Sequence, residues 1–242
     1  MAPSIIIIGA TGGTGSALAR RLACKGHALH LIGRDAIRLE DLAQTLDASY
    51  ALADVMAEDA LADAVALADR GDGIAGLAYC VGSIHLKPLK ATRSADFLSA
   101  FNLNLLGAAT ALRAAEKGLK AARGSVVLFS TVAVEQGFAN HAVVAAAKGA
   151  VAGLGRAMAA EWAPHVRVNV IAPSLTRTPL AAPLLASEQM AQGIAAMHPL
   201  ARLGEADDLA AMAEFLLSGD AGWITGQVMA VDGGRGALRT KG

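Results

Sequence analysis

A chain of 242 residues fits one α/β domain, or two small ones, and buries enough surface to hold together without a disulfide or a structural metal. Its 21 lysines and arginines balance 21 aspartates and glutamates with no basic block, so nucleic acid is excluded as an expected partner. Hydrophobic residues make up 54% and aromatics only 4%, which suits small-residue helices lying on a parallel sheet buried on both faces. Ser4–Gly9 is a short β-branched run ending in glycine and predicts the first strand. Residues 13–25 carry apolar groups at helical spacing, and Gly26 closes that helix. His27–Ile32 reads as strand two, and Asp35 is placed to cap a helix carrying Leu39, Leu42 and Leu46. Tyr50–Ala53 is strand three, followed by a helix over 57–70 and by strand four at Ile74–Cys80. A long helix over about 94–118 precedes strand five, Ser125–Ser130. A second long helix over about 139–162 precedes strand six, Val166–Ile171. Pro173, Pro179 and Pro183 mark an irregular stretch with helices near 185–197 and 205–217, and Gln227–Val231 is the last strand.

Strands and helices alternating at this spacing predict right-handed crossovers and a doubly wound, all-parallel α/β sheet of the Rossmann type. No linker, repeat or charge run divides the chain, so one domain is expected over 1–242, with a small substrate lobe at about 174–204. Ile5–Ile8 is too short to cross a bilayer, which takes about 20 residues, and the sparsely charged Phe97–Leu112 reads as a buried helix. Met1–Ser4 lacks the positive charge of a secretory signal, so no membrane association is expected. Cys24 and Cys80 lie in separate elements without metal-ligand spacing. They are expected to be buried, inert thiols in a reducing cytoplasm, and no metal site is expected.

The strongest local signal is Gly9-Ala10-Thr11-Gly12-Gly13-Thr14-Gly15, directly after strand one and opening a helix. Glycines there let the backbone turn sharply and approach a pyrophosphate, whose charge faces the helix N-terminus, so a dinucleotide is the expected ligand. At the end of strand two, where an NAD-preferring protein places a carboxylate for the ribose hydroxyls, stand Gly33 and Arg34. A guanidinium pairs with a ribose 2′-phosphate, which points to NADP, with NAD as the alternative. A solvated surface arginine partly neutralised by Asp35 is the competing reading of Arg34.

With these residues in place the chain resembles the short-chain dehydrogenase/reductase family along nearly its whole length. The carriers of that resemblance are the Gly9/Gly13/Gly15 spacing, Asp54-Val55 after strand three, Asn104 within Asn102–Gly107, Lys148, the run Arg167–Pro173 followed by Thr178, and the ending Gly226–Val228 through Asp232–Gly234. The resemblance implies that Gly9, Thr11, Gly12, Gly13, Thr14, Gly15, Arg34, Asp54, Val55, Gly82, Lys148, Pro173, Thr176 and Thr178 bind the cofactor. It also implies that Asp54-Val55 hold the adenine, that Asn104 bridges the active-site lysine through water, and that Lys148 is that lysine. Three positions depart from the family pattern. Asn-Asn-Ala-Gly after strand four is here Tyr79-Cys80-Val81-Gly82, the active-site serine is Thr131, and the tyrosine four residues before the lysine is Val144.

Threonine keeps a hydroxyl, but valine has no proton to give, and carbonyl reduction needs one for the developing alkoxide. His141 precedes Lys148 by two helical turns, about 10 Å along the axis and on the same face. Enoyl reductases related to the family place their tyrosine at this seven-residue spacing, although their usual glycine-loop pattern is absent here. Imidazole exchanges protons near neutrality, so His141 is the expected acid/base, with Asn104, Thr131 and Lys148 completing the catalytic set. The alternative is that His141 caps or packs the helix start. His85 and Lys87 are read as surface residues near the pocket, and His198 as loop.

The expected function is therefore oxidoreduction of a small carbonyl or alcohol with NADP(H). The alternatives are a dinucleotide-binding sensor or scaffold without turnover, and a reductase of activated C=C bonds. The small residues Ala145–Ala147, Gly149, Ala150, Ala152, Gly153 and Gly155 permit close helix approach, and the resemblance implies a homo-oligomer, dimer or tetramer. The apolar run Leu180–Met197 suits a hydrophobic substrate or an oligomer contact.

Overall fold

In the computed structural model, which describes residues 2–240, the β-branched run Ser4–Ile8 forms β1. Its four isoleucines are all buried because both faces of the strand are covered. Met1, Lys241 and Gly242, the outermost residues of the expected 1–242 domain and of the Met1–Ser4 reading, lie outside the described residues. The main sheet continues with β2 (Leu29–Gly33), β3 (Ser49–Leu52), β4 (Ile74–Tyr79), β5 (Ser125–Phe129), β6 (Arg167–Pro173) and β9 (Val228–Val231); the two-residue strands β7 (Thr176–Arg177) and β8 (Gly204–Glu205) pair apart from it. The order is β3-β2-β1-β4-β5-β6-β9, with every neighbouring pair parallel. The chain winds outward through β2 and β3, then returns to place β4 on the other side of β1. The crevice beyond the carboxyl ends of β1 and β4 is thus the topological switch point, where ligands bind in such sheets.

The helices are α1 (Gly13–Cys24), α2 (Ala36–Leu46), α3 (Glu58–Ala66), α4 (Ser94–Phe101), α5 (Gly107–Ala122), α6 (Ala133–Gln136), α7 (Ala142–Trp162), α8 (Glu188–Ala195) and α9 (Ala206–Leu217). Side chains alternate across β1 with period two, so Ile6 and Ile8 join the core under α3, α5 and α7 while Ile5 and Ile7 join the core under α1, α2 and α9. Burying each such side chain contributes roughly 1.5–3 kcal/mol. Asp35 caps α2 by accepting from the Arg38 amide at 3.1 Å, as its position in the sequence implies. α7 is long and apolar enough by composition to cross a membrane. Its buried stripe of Val144, Lys148, Val151, Gly155, Ala159 and Trp162 instead packs on β5 and β6.

Several boundaries differ from the sequence expectation. Strand two begins at Leu29 rather than His27, because the chain leaves α1 through Gly26 in a left-handed turn before entering the sheet. The helix expected over 57–70 ends at Ala66, and the one expected from about 139 begins at Ala142 after a short α6 that periodicity did not indicate. The helix expected over about 94–118 runs to Ala122 and contains a π-helical turn at Asn102–Leu106. Cys24 is exposed rather than buried, since it closes the last turn of α1 on the solvent side; Cys80 is shielded, and burial pushes its thiol up to about 12.

Candidate functional site

The glycine-rich turn leaves β1 with Gly9 at φ +80°, a conformation that side chains with a Cβ rarely adopt. A Cβ on Gly15 would stand 2.3 Å from the Gly9 carbonyl oxygen, and one on Gly13 would stand 2.8 Å from Thr178 Cγ2. Gly12 N-caps α1 without any side-chain bond, so the first amides of the helix are left as donors for an anion. The turn therefore fits a pyrophosphate cradle: close-packed backbone at a positive helix end with nothing projecting into it.

At the edge of this turn Arg34 is exposed and makes no ion pair among the described residues, while Arg38 donates to the Thr11 carbonyl at 2.7 Å. A Cβ on Gly33 would lie 3.6 Å from Thr11 Oγ1, so that position faces the turn and carries no carboxylate. Asp54 is exposed and bonds the Met56 amide, with Val55 partly buried beside it.

A cavity of about 420 Å³ opens from the switch point toward α8. Thr14, Gly82, Thr131, His141, Val144, Lys148, Pro173, Thr176 and Thr178 all line it. Lys148 is buried, donates to the Phe129 carbonyl at 2.8 Å, and is held down at about 8 by burial, an effect that Cys80 opposes. Ser130 and Thr131 both line the cavity at the end of β5; the Ser130 hydroxyl donates to the Lys148 carbonyl at 2.9 Å, while that of Thr131 donates only weakly to the Pro173 carbonyl at 3.4 Å and accepts from the Ala133 amide at 3.3 Å. His141 is the N-cap residue of α7, yet its side chain caps nothing: Nδ1 lies 2.7 Å from the Ala139 carbonyl. Asn104 sits in the π turn and donates to Ser83 Oγ and the Ala100 carbonyl, with its own Oδ1 buried and without a partner. A Cβ on Gly82 would stand 3.0 Å from Lys148 Nζ and 3.3 Å from Asn104 Oδ1, so only a glycine lets these two groups face each other. Of the residues singled out in the sequence, Thr14 of the glycine turn and His141, Val144 and Lys148 of the α7 face meet in this lining, whereas Gly9, Thr11, Gly12, Gly13, Gly15, Arg34, Asp54, Val55 and Asn104 lie outside it. His85 and Lys87 pair with Asp96 outside the cavity lining.

Three features escaped sequence reasoning. His198 is no loose loop residue. It is buried, with Nδ1 donating to the Ile194 carbonyl at 2.9 Å and Nε2 accepting from Ser174 Oγ at 2.8 Å; Ser174 lines this cavity and a second one of about 380 Å³. Tyr79 donates to the Leu103 carbonyl at 2.7 Å, inside the π turn that carries Asn104, and a Cβ on Gly107 would strike the Tyr79 hydroxyl. Arg235, near the chain end, also lines the cavity. The Ser174-to-His198 separation and the pairing of Tyr79 with a helix carbonyl leave no local pattern; a lone arginine after Gly233-Gly234 was the one available signal.

The chain is similar to known proteins along nearly its whole length. The family model described as enoyl-(acyl carrier protein) reductase matches residues 9–235. Galactitol 2-dehydrogenase (L-tagatose-forming) of Cereibacter sphaeroides is 34% identical over 236 residues, which cover 94% of this chain and 92% of that protein. A protein of Xanthobacter autotrophicus named inactive 2-(S)-hydroxypropyl-CoM dehydrogenase 2 is 36% identical over 230 residues, 91% of this chain and 100% of that one. A solved short-chain type dehydrogenase/reductase from Mycobacterium ulcerans superimposes with a TM-score of 0.91 at 31% identity, covering 98% of this chain and 90% of that one.

Proposed function

The chain belongs to the short-chain dehydrogenase/reductase family of nicotinamide-dependent oxidoreductases, and on that footing we propose that it interconverts a small carbonyl compound and its alcohol, using NADP(H) in preference to NAD(H). One observation carries the reading. Thr131, His141 and Lys148 line a single cavity that reaches Thr14 and Thr178 of the dinucleotide cradle.

Gly9, Thr11, Gly12, Gly13, Thr14 and Gly15 would hold the pyrophosphate, Asp54 and Val55 the adenine, and Gly82, Lys148, Pro173, Thr176 and Thr178 the nicotinamide half. When bound, the cofactor supplies or accepts a hydride. The preference for NADP rests on Arg34, whose unpaired guanidinium stands where a carboxylate would repel a 2′-phosphate. Val144 occupies the place of the family's tyrosine, one turn from Lys148, and His141 takes over proton exchange. With Nδ1 bonded to a carbonyl, its Nε2 accepts the alcohol proton in the neutral ring and gives it back in the imidazolium. Thr131 holds the substrate oxygen, and Lys148 remains charged at neutral pH to hold the ribose hydroxyls, with Asn104 Oδ1 linked to it through water.

A second reading, dinucleotide binding without turnover, is favoured by Val144, which has no proton to give, and by the similarity to a relative whose name calls it inactive. Rapid-mixing assays of NADPH oxidation against aldehydes, ketones and enones separate the two. Turnover of aldehydes or ketones is expected; tight NADPH binding with no turnover on any of them overturns the enzymatic reading, and turnover of enones alone moves it to C=C reduction. We also propose a homo-oligomer: of the small residues that the sequence offers on α7, Ala147, Ala152 and Gly155 are buried in the protein's own core, but Ala146 and Gly153 are exposed, and Ala142, Ala157 and Ala160 extend that side for close helix approach. Light scattering that finds only a monomer at assay concentration rejects that part.

A further inference from the structure

The cavity wall is chemically lopsided. Among the described residues, Leu86, Leu180, Leu184, Met190, Ile194 and Met197 make much of it apolar, no aspartate or glutamate lines it, and three basic side chains do: His141, Lys148 and Arg235. Two of the three are already engaged, Lys148 with the Phe129 carbonyl and His141 with the Ala139 carbonyl. Arg235 is not. Its guanidinium lies 4.8 Å over the Phe138 ring, touches Met197 Sδ weakly at 3.7 Å, and enters no ion pair among the described residues.

The backbone around Arg235 is fixed from both sides. Asp232, the carboxylate nearest in sequence, accepts from the amides of Gly234 and Gly236, and the Arg235 amide donates to the Asp232 carbonyl. Gln136 donates to the Gly236 carbonyl from α6. A half-buried guanidinium stays charged, and placing it against apolar wall is unfavourable unless an anion completes it. With Phe138 beneath the guanidinium and only the weak contact to Met197 Sδ taken up, N–H donors of the planar fork remain for a carboxylate.

We propose that Arg235 is the anion-recognising residue of this cavity, and that the substrate is a carbonyl or alcohol compound whose apolar chain ends in a carboxylate. The proposal rests on the oxidoreductase reading above for the reacting end and on Arg235 for the other. Phe138 separates the two ends, its ring centroid 5.3 Å from that of His141. The two distances bound the His141-to-Arg235 separation at about 10 Å, and with about 3 Å of contact distance at each end the space between matches a chain of about three to four bonds between the reacting carbon and the carboxylate, at about 1.2 Å per bond.

Calorimetric titration of the full chain with hexanoate and with 1-hexanol, with and without NADP, tests the assignment without requiring turnover. Hexanoate is expected to bind at least tenfold tighter than hexanol, with Arg235→Gln removing that preference and Arg235→Lys keeping part of it. Equal affinities in the wild-type protein, or a preference that survives in Arg235→Gln, overturn the proposal; the wild-type comparison stands even if the variants fold poorly. A kinetic arm compares 5-oxohexanoate with its methyl ester. Arg235→Gln should raise KM for the acid alone, and loss of the distinction between acid and ester in the wild-type protein counts against Arg235. A hexanoate preference that Arg235→Gln removes, with no turnover of any aldehyde or ketone tested, supports Arg235 while overturning the oxidoreductase reading, so the two failures are distinguishable.

Discussion

His141 and Ala139 are joined by a 2.7 Å bond from the ring Nδ1 to the backbone carbonyl. A carbonyl only accepts, so Nδ1 carries the proton and Nε2 is the nitrogen left to exchange one with a ligand. The neutral ring is then a base and the imidazolium an acid. His141→Gln should lower kcat for alcohol oxidation and for carbonyl reduction alike while leaving NADPH affinity unchanged, and steady-state kinetics measured in each direction check this.

Lys148 links the site to stability. Burial lowers it from the ordinary 10.5 to about 8, so between those values the unfolded chain holds a proton that the folded chain has released. Stability therefore rises with pH across that window, and the buried charge costs about 3 kcal/mol below it at 1.36 kcal/mol per unit. Thermal unfolding at intervals from pH 7 to 10.5 should show this rise in the wild-type protein and a flatter curve in Lys148→Met, which should also lose activity.

The glycine turn offers a graded steric test. Gly15→Ala places a methyl 2.3 Å from the Gly9 carbonyl, a distance no relaxation of a side chain can relieve. NADPH affinity, followed by fluorescence, should fall at least about 100-fold, roughly the 2.7 kcal/mol expected when a backbone cradle is displaced. Gly193→Ala on the exposed side of α8 meets nothing within 4 Å and should leave binding unchanged while stabilising the helix by up to about 1 kcal/mol.

Cofactor choice is the test of Arg34. Replacing it with alanine should weaken NADPH by roughly 10- to 100-fold, the 1.5–3 kcal/mol of a charge-assisted bond, and leave NADH affinity nearly unchanged. Parallel titrations with the two dinucleotides read this directly; equal losses for both would point to a general weakening of the turn.

Tyr79→Phe removes the donor to the Leu103 carbonyl and with it a tie between β4 and the π turn. The loss should be about 1 kcal/mol, or a few degrees in Tm for a chain of this length, with a larger effect on kcat than on NADPH affinity because Asn104 rides on the same turn.

What could be read in the sequence follows from the range of the interactions involved. The strands, α1 and the Gly9–Gly15 turn are set by residues adjacent in the chain, so Ile5–Ile8 and the glycine spacing announce them. Lys148 and His141 could be placed on one face because helical geometry alone relates them. Tyr79 with Leu103, Ser174 with His198, and Arg38 with Thr11 are pairs made by the sheet order and by the return of the chain over the crevice, and no local period encodes them. Arg235 gains its meaning only when the chain end folds against Phe138.

The most direct measurement is single-turnover reduction of a verified carbonyl substrate by His141→Ala and by the double variant His141→Ala, Val144→Tyr, each saturated with NADPH. The account predicts a loss of roughly 10²- to 10⁴-fold in the first at unchanged NADPH affinity. Partial recovery is expected in the second, where a phenol returns one turn from Lys148. Full-rate turnover by His141→Ala would contradict it.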